Sequence, residues 1–248
     1  MPELEISELA RRMSLGFVRR HWRELVDEAA SEGMGHEEFL RRTLLSEYEC
    51  RRSNVIKERL RIAGFPSLLT FDQLDMAAFE PSVAAKVAEL RKLDFVREGR
   101  NVIMAGNPGV GKTHIATALG VAACQAGFTV LFTSVPNLVI EVRERARLQE
   151  MTTFKRRFCR YDLVILDELG YVSFDKSSSE ILFNLLSTRN VAKSIVITTN
   201  LEFERWSEVF GDQVLTAAMV DRLTHKSHVL NIQGESYRVK ETKAWLNS

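Results

Sequence analysis

Residues 106–113 read GNPGVGKT, three glycines and a proline leading into a lysine and a hydroxyl. The run Gly106, Asn107, Pro108, Gly109, Val110, Gly111, Lys112, Thr113 meets the spacing GxxxxGK[ST] in full. Glycines let successive backbone N–H groups turn inward on an anion, and a helix starting where the loop ends adds its dipole. Lys112 would reach the β- and γ-phosphates of ATP, and the Thr113 hydroxyl would bind Mg²⁺. His114 follows directly and is counted with the nucleotide-binding set. The plain alternative is a glycine-rich turn before a helix. It leaves unexplained the strand signal at Val102–Ala105 ahead of the loop and the helical signal from Thr113 to Gln125 behind it.

A second candidate is LVILDELGY. Asp167 ends an apolar run, at the strand end where open α/β sheets bind ligands, and would position the metal. Glu168, one residue on, would polarise an attacking water as general base. By themselves the two acids also read as a strand-to-helix turn with Glu168 as a cap; behind a complete phosphate loop that reading becomes the lesser one. A third candidate, SIVITTN, ends in Thr198, Thr199 and Asn200. An amide offers donor and acceptor without charge, so Asn200 can bond both a γ-phosphate and a water. Locally an Asx turn into the helical segment FERWSEVF accounts for Asn200 equally well.

These residues need a scaffold. From Asn101 the chain alternates short β-branched runs (NVIMAG, FTVLFTS, YDLVILD, KSIVITTN) with helical segments. Runs apolar on both faces imply a parallel sheet covered on two sides. Before Asn101 strand signals are absent. FVRRHWRELVDEAA spaces Phe17, Trp22, Leu25 and Val26 as a helix, SEGMG breaks it, and HEEFLRRTLLSEYECRRSNVIKERLRIAG resumes it as one long helix or two short ones. Pro81 sits near the first turn of a further helix behind a linker. The boundary falls between residues 65 and 80, giving a helical N-terminal domain over 1–70 and an α/β domain over 71–248.

Composition narrows the class. With 248 residues, 45% of them apolar, the chain can bury a substantial core, and a formal net charge of +1 argues against a globally basic nucleic-acid binder. Cys50, Cys124 and Cys159 lie far apart and form neither a CxxC pair nor a zinc spacing, as in a reduced cytoplasmic protein. No run approaches the ~20 apolar residues of a membrane helix. MPELEISELARRM lacks the apolar centre of a secretory signal. A soluble, cytoplasmic protein is expected.

Local charge is less even. From Glu141 to Arg160 seven basic side chains stand against three acidic ones, a net of +4, with Arg143 and Arg147 on one helix face. From Arg41 to Arg61 the count is again seven against three. The second stretch reads as a DNA surface, a docking surface or a solvated exterior, and its residues do not choose among them. His21, His36, His114, His225 and His228 are scattered and form no metal constellation.

The phosphate loop, the DE pair and the later strand ending in Asn resemble the AAA+ ATPases. More narrowly, GKTHIA, LDELGY, SIVITTN, AAMVDRLTHK and GESYR together look like the IstB family, ATP-binding helper proteins of bacterial insertion sequences and relatives of the helicase loader DnaC. The match covers about residues 60–240. The resemblance implies an α/β fold, an AAA+ P-loop NTPase domain whose five-stranded parallel sheet carries helices on both faces, behind a small helical domain. It implies that Arg222 is an arginine finger reaching a neighbouring subunit's ATP, and that Arg238 senses the γ-phosphate in its own chain. Only VKETKAWLNS follows Arg238, so the usual helical lid would be absent or vestigial. Arg143, Arg147, Lys155, Arg156 and Arg157, in helices that this clade inserts, would contact DNA phosphates.

The implied activity is Mg²⁺-dependent ATP hydrolysis at sites shared between subunits of a ring or helical homo-oligomer. Its implied partners are duplex DNA, which it would bend or remodel, and a transposase, with no membrane. A replicative helicase loader is the alternative, separable by a preference for single strands. A small-molecule P-loop kinase fits less well, because it needs an acceptor pocket and a mobile Arg-rich lid.

Overall fold

Val and Ile recur where the sequence alternates with helices, and each of these runs is a strand: β1 Val102–Gly106, β2 Val130–Ser134, β3 Leu163–Leu169 and β4 Ser194–Thr199, joined by β5 His228–Ile232. All pairings are parallel, in the order β2-β3-β4-β1-β5. β1 therefore lies between two strands that come much later in the chain, and its carboxyl end opens beside theirs. The computed structural model describes residues 5–171, 173–189, 193–237, 239, 242 and 245.

Side-chain alternation along the strands feeds two cores. On one face Val102, Met104, Ile165 and Val196 pack with α4 (Pro81–Leu90), α5 (Asp94–Arg97) and α6 (Lys112–Gln125) through Val87, Phe95, Ile115 and Leu119. On the other, Ile103, Val164, Ile195 and Ile197 pack with α7 (Val135–Arg147), α8 (Met151–Arg160), α9 (Lys176–Ser187) and α11 (Gln213–Thr224). This is the two-sided parallel sheet and the AAA+ architecture that the sequence led us to expect. FERWSEVF is not one helix but a 3₁₀ turn, Phe203–Trp206, followed by the single turn α10, Ser207–Phe210. Fully buried Trp206 anchors that corner against Phe203 and Phe210.

The chain divides into two units, Met1–Glu58 and Arg59–Ser248. The first holds α1 (Ile6–Arg12), α2 (Gly16–Ser31) and most of α3 (His36–Ala63), a single helix of 28 residues. The division lies inside α3, upstream of the boundary expected between residues 65 and 80. α2 has no side-chain acceptor of its own at its start, because Leu15 occupies the N-cap. Glu47 supplies one from α3: its carboxylate accepts the amides of Gly16 (3.1 Å), Phe17 (2.8 Å) and Val18 (3.1 Å) and also the Arg51 Nε at 2.8 Å. Three orphan amides of a helix start are thereby satisfied by a charge that favours the positive end of the dipole.

Among the described residues no helix is long and apolar enough to cross a membrane. Arg238 and nearly all of the tail expected to carry a vestigial lid lie outside the described residues.

Candidate active site

β1 delivers the chain to the phosphate loop at the sheet's carboxyl edge, and α6 starts at Lys112 directly behind it. Gly109 has φ +82, and a β-carbon there would stand 2.1 Å from the Ser236 Oγ, so a larger residue has to displace Ser236 and strain the backbone. The Tyr237 amide donates to the Gly109 carbonyl at 3.0 Å, and the Tyr237 hydroxyl reaches Asp75 Oδ2 at 3.2 Å. The loop is thus held on its outer side by the segment that follows β5. Lys112 is 8% exposed and its Nζ donates to the carbonyls of Gly106 (2.6 Å) and Asn107 (2.7 Å). Burial lowers its pKa from the ordinary lysine value, with the Asp167 carboxylate pulling the other way.

Asp167 sits opposite Thr113 across the strand ends. The Thr113 hydroxyl lies 3.0 and 3.1 Å from the two carboxylate oxygens, and the Thr198 hydroxyl donates closely to Oδ1. A buried carboxylate with two hydroxyls is a set of hard oxygen donors, which suits Mg²⁺. Among the described residues no group of three His, Cys, Asp or Glu side chains gathers anywhere.

Glu168 owes its place to an irregularity. The β3–β4 register shifts between Leu166 and Leu169, and Glu168 has φ +65, in the left-handed region. Alternation would send Glu168 to the face opposite Asp167; the bulge re-aims it, so it is exposed while Leu166, Asp167 and Leu169 are buried. The Glu168 amide donates to the Thr198 Oγ1 at 3.0 Å, which holds the strained backbone from the neighbouring strand. Asn200 follows β4, and its Oδ1 is buried with no hydrogen-bond partner among the described residues. Such an acceptor calls for a donor from outside the protein, such as a water. A cleft of about 370 Å³ beside it runs from Gly106 and Asn107 to Glu202 and Gly234.

The structure therefore brings together Gly106–Thr113, Asp167, Glu168 and Asn200 at three adjacent strand ends. His114 points elsewhere: its Nε2 lies 3.0 Å from the Thr70 carbonyl and ties α6 to the preceding linker. Arg222, near the end of α11, is exposed and stacks 5.1 Å over the Phe183 ring, beside the residues that start β1, β4 and β5. It occupies the opposite edge of the sheet from its own phosphate loop.

The basic helices divide into committed and uncommitted charge. Arg143 donates to Ser178 Oγ at 2.9 Å and pairs with Asp175, while Arg157 pairs with Glu141 at 2.8 Å. Arg147, Lys155 and Arg156 have no acidic partner among the described residues. α8 turns Phe154 and Phe158 inward and leaves Arg156, Arg157 and Arg160 exposed. Thr198, Gly170, Ser236 and Tyr237 were missed as site residues by sequence reasoning. Thr198 was visible as a hydroxyl at the tip of β4, but its bond to Asp167 depends on strand order, which local sequence does not carry.

A family model described as IstB-like ATP binding protein matches residues 8–244. An ATP-binding protein of insertion sequence IS21 from Pseudomonas aeruginosa is 38% identical over 244 residues, covering 98% of this chain and 91% of that protein. Its counterpart in IS5376 of Geobacillus stearothermophilus is 32% identical, covering 96% and 95%. Among solved structures, AMPPCP-bound DnaA from Aquifex aeolicus aligns with TM-score 0.59 at 18% identity, over 74% of this chain and 56% of DnaA. The DnaC helicase loader aligns with TM-score 0.53 at 20% identity, over 64% of this chain and 96% of the loader. At those identities the structural likeness speaks to the fold.

Proposed function

The chain belongs to the IstB-like ATP-binding family of AAA+ ATPases, and from that premise we propose that it clusters on duplex DNA when loaded with ATP, deforms that DNA and engages a transposase. Hydrolysis would then release the assembly. The observation that carries the DNA reading is the set Arg147, Lys155 and Arg156 on α7 and α8, without acidic partners among the described residues and set on the helices that join β2 to β3. Cations left unpaired on an otherwise salt-bridged surface suit a polyphosphate backbone, bound without regard to sequence.

The geometry supports a division of labour in hydrolysis. Backbone amides of Gly109–Thr113 and the Lys112 ammonium hold the triphosphate. Thr113 and Asp167 would hold Mg²⁺, which neutralises charge on the β- and γ-oxygens. Glu168, aimed outward by its bulge, takes the proton of the attacking water, and Asn200 orients that water through its unpaired Oδ1. Arg222 faces away from its own loop, so it would reach the triphosphate of a second copy, where an arginine finger supplies about 10³–10⁵ in rate.

Glu168→Gln keeps the shape of the site and removes the base. We expect it to trap ATP-dependent assemblies on duplex DNA, visible by electron microscopy and by sedimentation. Wild-type turnover in that variant would remove Glu168 from the role of base. Failure of the wild-type protein to shift a duplex at any ATP concentration would end the DNA reading. A preference for single strands over duplex would favour a helicase-loading role instead.

A further inference from the structure

A cleft of about 830 Å³ opens at the amino-terminal edge of the sheet, beside Asn101, Ile195 and His228, far along the strands from the phosphate loop. Its lining includes the apolar side chains of Phe183, Leu186, Met219 and Leu223 and the basic ones of Arg100, Arg189, Lys193, Arg222 and Lys226, with Glu98 the one acid among the lining residues. Three of those cations are spoken for. Arg100 pairs with Glu98 at 2.5 Å, Lys193 pairs with Asp162, and buried Arg189 donates to the carbonyls of Phe158, Tyr161 and Ser194. Arg222 and Lys226 have no acidic partner among the described residues.

The Arg222 side chain is braced without one, and the backbone that carries Lys226 is pinned. The Arg222 guanidinium rests on Phe183 as a cation on a ring face, which leaves its N–H edge available. Lys226 follows α11 with φ +52, a left-handed conformation that residues with a β-carbon seldom adopt. The turn is pinned on both sides. Ser227 donates to the Thr224 carbonyl through its amide (3.1 Å) and hydroxyl (2.9 Å), the His228 amide donates to the Asn101 carbonyl at 2.9 Å, and Asn101 Nδ2 donates to the Leu223 carbonyl at 3.2 Å. Local strain sustained by surrounding bonds marks a position whose side-chain direction matters. Two cations lining one cleft repel each other, an anion between them relieves that repulsion, and apolar neighbours strengthen the attraction to that anion.

We propose that this cleft is a phosphate-binding site separate from the phosphate loop, in which Lys226 acts beside Arg222 on a phosphoryl group brought by another molecule. The inference rests on the reading of Arg222 as a group that works outside its own chain. Two sources share the chemistry: the triphosphate seated on a second copy, and the backbone of bound DNA.

The test uses the full chain with Lys226→Gly, which removes the ammonium and relaxes the left-handed turn, and Lys226→Arg, which keeps a cation. If the nucleotide is the source, Lys226→Gly loses about tenfold or more in turnover with ATP affinity unchanged, and Lys226→Arg recovers most of it. Mixing Lys226→Gly with Lys112→Ala then restores turnover, because the second copy brings an intact Lys226 to a working phosphate loop. If DNA is the source, turnover on saturating DNA persists, and the slope of log affinity against log salt falls by about one unit for the lost contact. The proposal is overturned if both readouts stay at wild-type values, or if turnover falls and mixing does not restore it, which would mark a purely structural role within the chain. Arg222→Ala runs in parallel. If its turnover is also normal, the shared-site reading fails as well; if it alone is impaired, only the role of Lys226 is lost.

Discussion

A β-carbon on Gly170 would stand 2.7 Å from the Oδ1 of Asn200. The same side chain would press on Leu201 at 2.9 Å, and Gly170 has φ +111, where L-residues are strained. Gly170→Ala therefore has to push Asn200 off its position or distort the turn after β3, at a cost of about 1–3 kcal/mol. We expect ATP turnover to fall by about tenfold or more while ATP binding, measured by titration with a fluorescent analogue, changes little. Equal losses in binding and turnover would mean that Asn200 contributes no water-orienting role.

Thr198 serves both acids of the DE pair, donating to Asp167 and accepting from the Glu168 amide. Thr198→Val preserves volume but leaves a buried amide unpaired, at about 1–3 kcal/mol, and removes a donor from the carboxylate. The Mg²⁺ concentration for half-maximal turnover should rise, and kcat should drop roughly 10–100-fold. Thr198→Ser should retain both. A Mg²⁺ titration of the three proteins decides the point, and an unchanged valine variant would refute it.

The two classes of arginine on α7 and α8 separate experimentally. Arg147→Ala and Arg156→Ala should each flatten the salt dependence of duplex affinity by about 0.9 per lost contact. Arg143 is tied to Asp175 and Ser178, so Arg143→Ala should leave that slope alone and instead loosen the start of α9, seen as faster amide exchange there. Identical slopes for all three variants would contradict the assignment.

Glu47 makes the N-terminal unit acid-sensitive. Desolvation works to raise its pKa, but the bonds from Arg51 and from the amides of Val18 and Phe17 outweigh it, so the folded value lies below the ordinary glutamate value of 4.5. A carboxylate with a lowered folded pKa adds stability above its unfolded pKa and loses it as pH falls. The unit should therefore weaken as pH drops below about 4.5 toward the folded value. Glu47→Gln should cost about 1–3 kcal/mol at neutral pH and flatten that acid limb, read by circular dichroism. An acid limb identical in Glu47→Gln would show that another group is responsible.

Local patterns carried a large share of this protein. The phosphate loop was legible because its chemistry needs glycines, a lysine and a hydroxyl in unbroken succession, so Gly106–Thr113 is recognisable without neighbours. The parallel sheet was legible because strands buried on both faces read as continuous apolar runs. α3 was open as one helix or two, since nothing in its 28 residues forbids either; it is one.

Other features depended on residues far apart in the chain. Glu47 caps a helix that starts 31 positions earlier, a bond that only the packing of α3 on α2 creates. Thr198 meets Asp167 and Glu168 because β4 is hydrogen-bonded to β3, and the bulge that turns Glu168 outward appears only in that pairing. The placement of Arg222 and Lys226 is likewise a matter of sheet polarity: parallel strands put the phosphate loop at one edge and these cations at the other. What a short contiguous segment must contain was written in the sequence by itself. Which distant side chains share a hydrogen bond was decided by the tertiary structure, because strand order and register arise from burial across the whole sheet and not from any local choice.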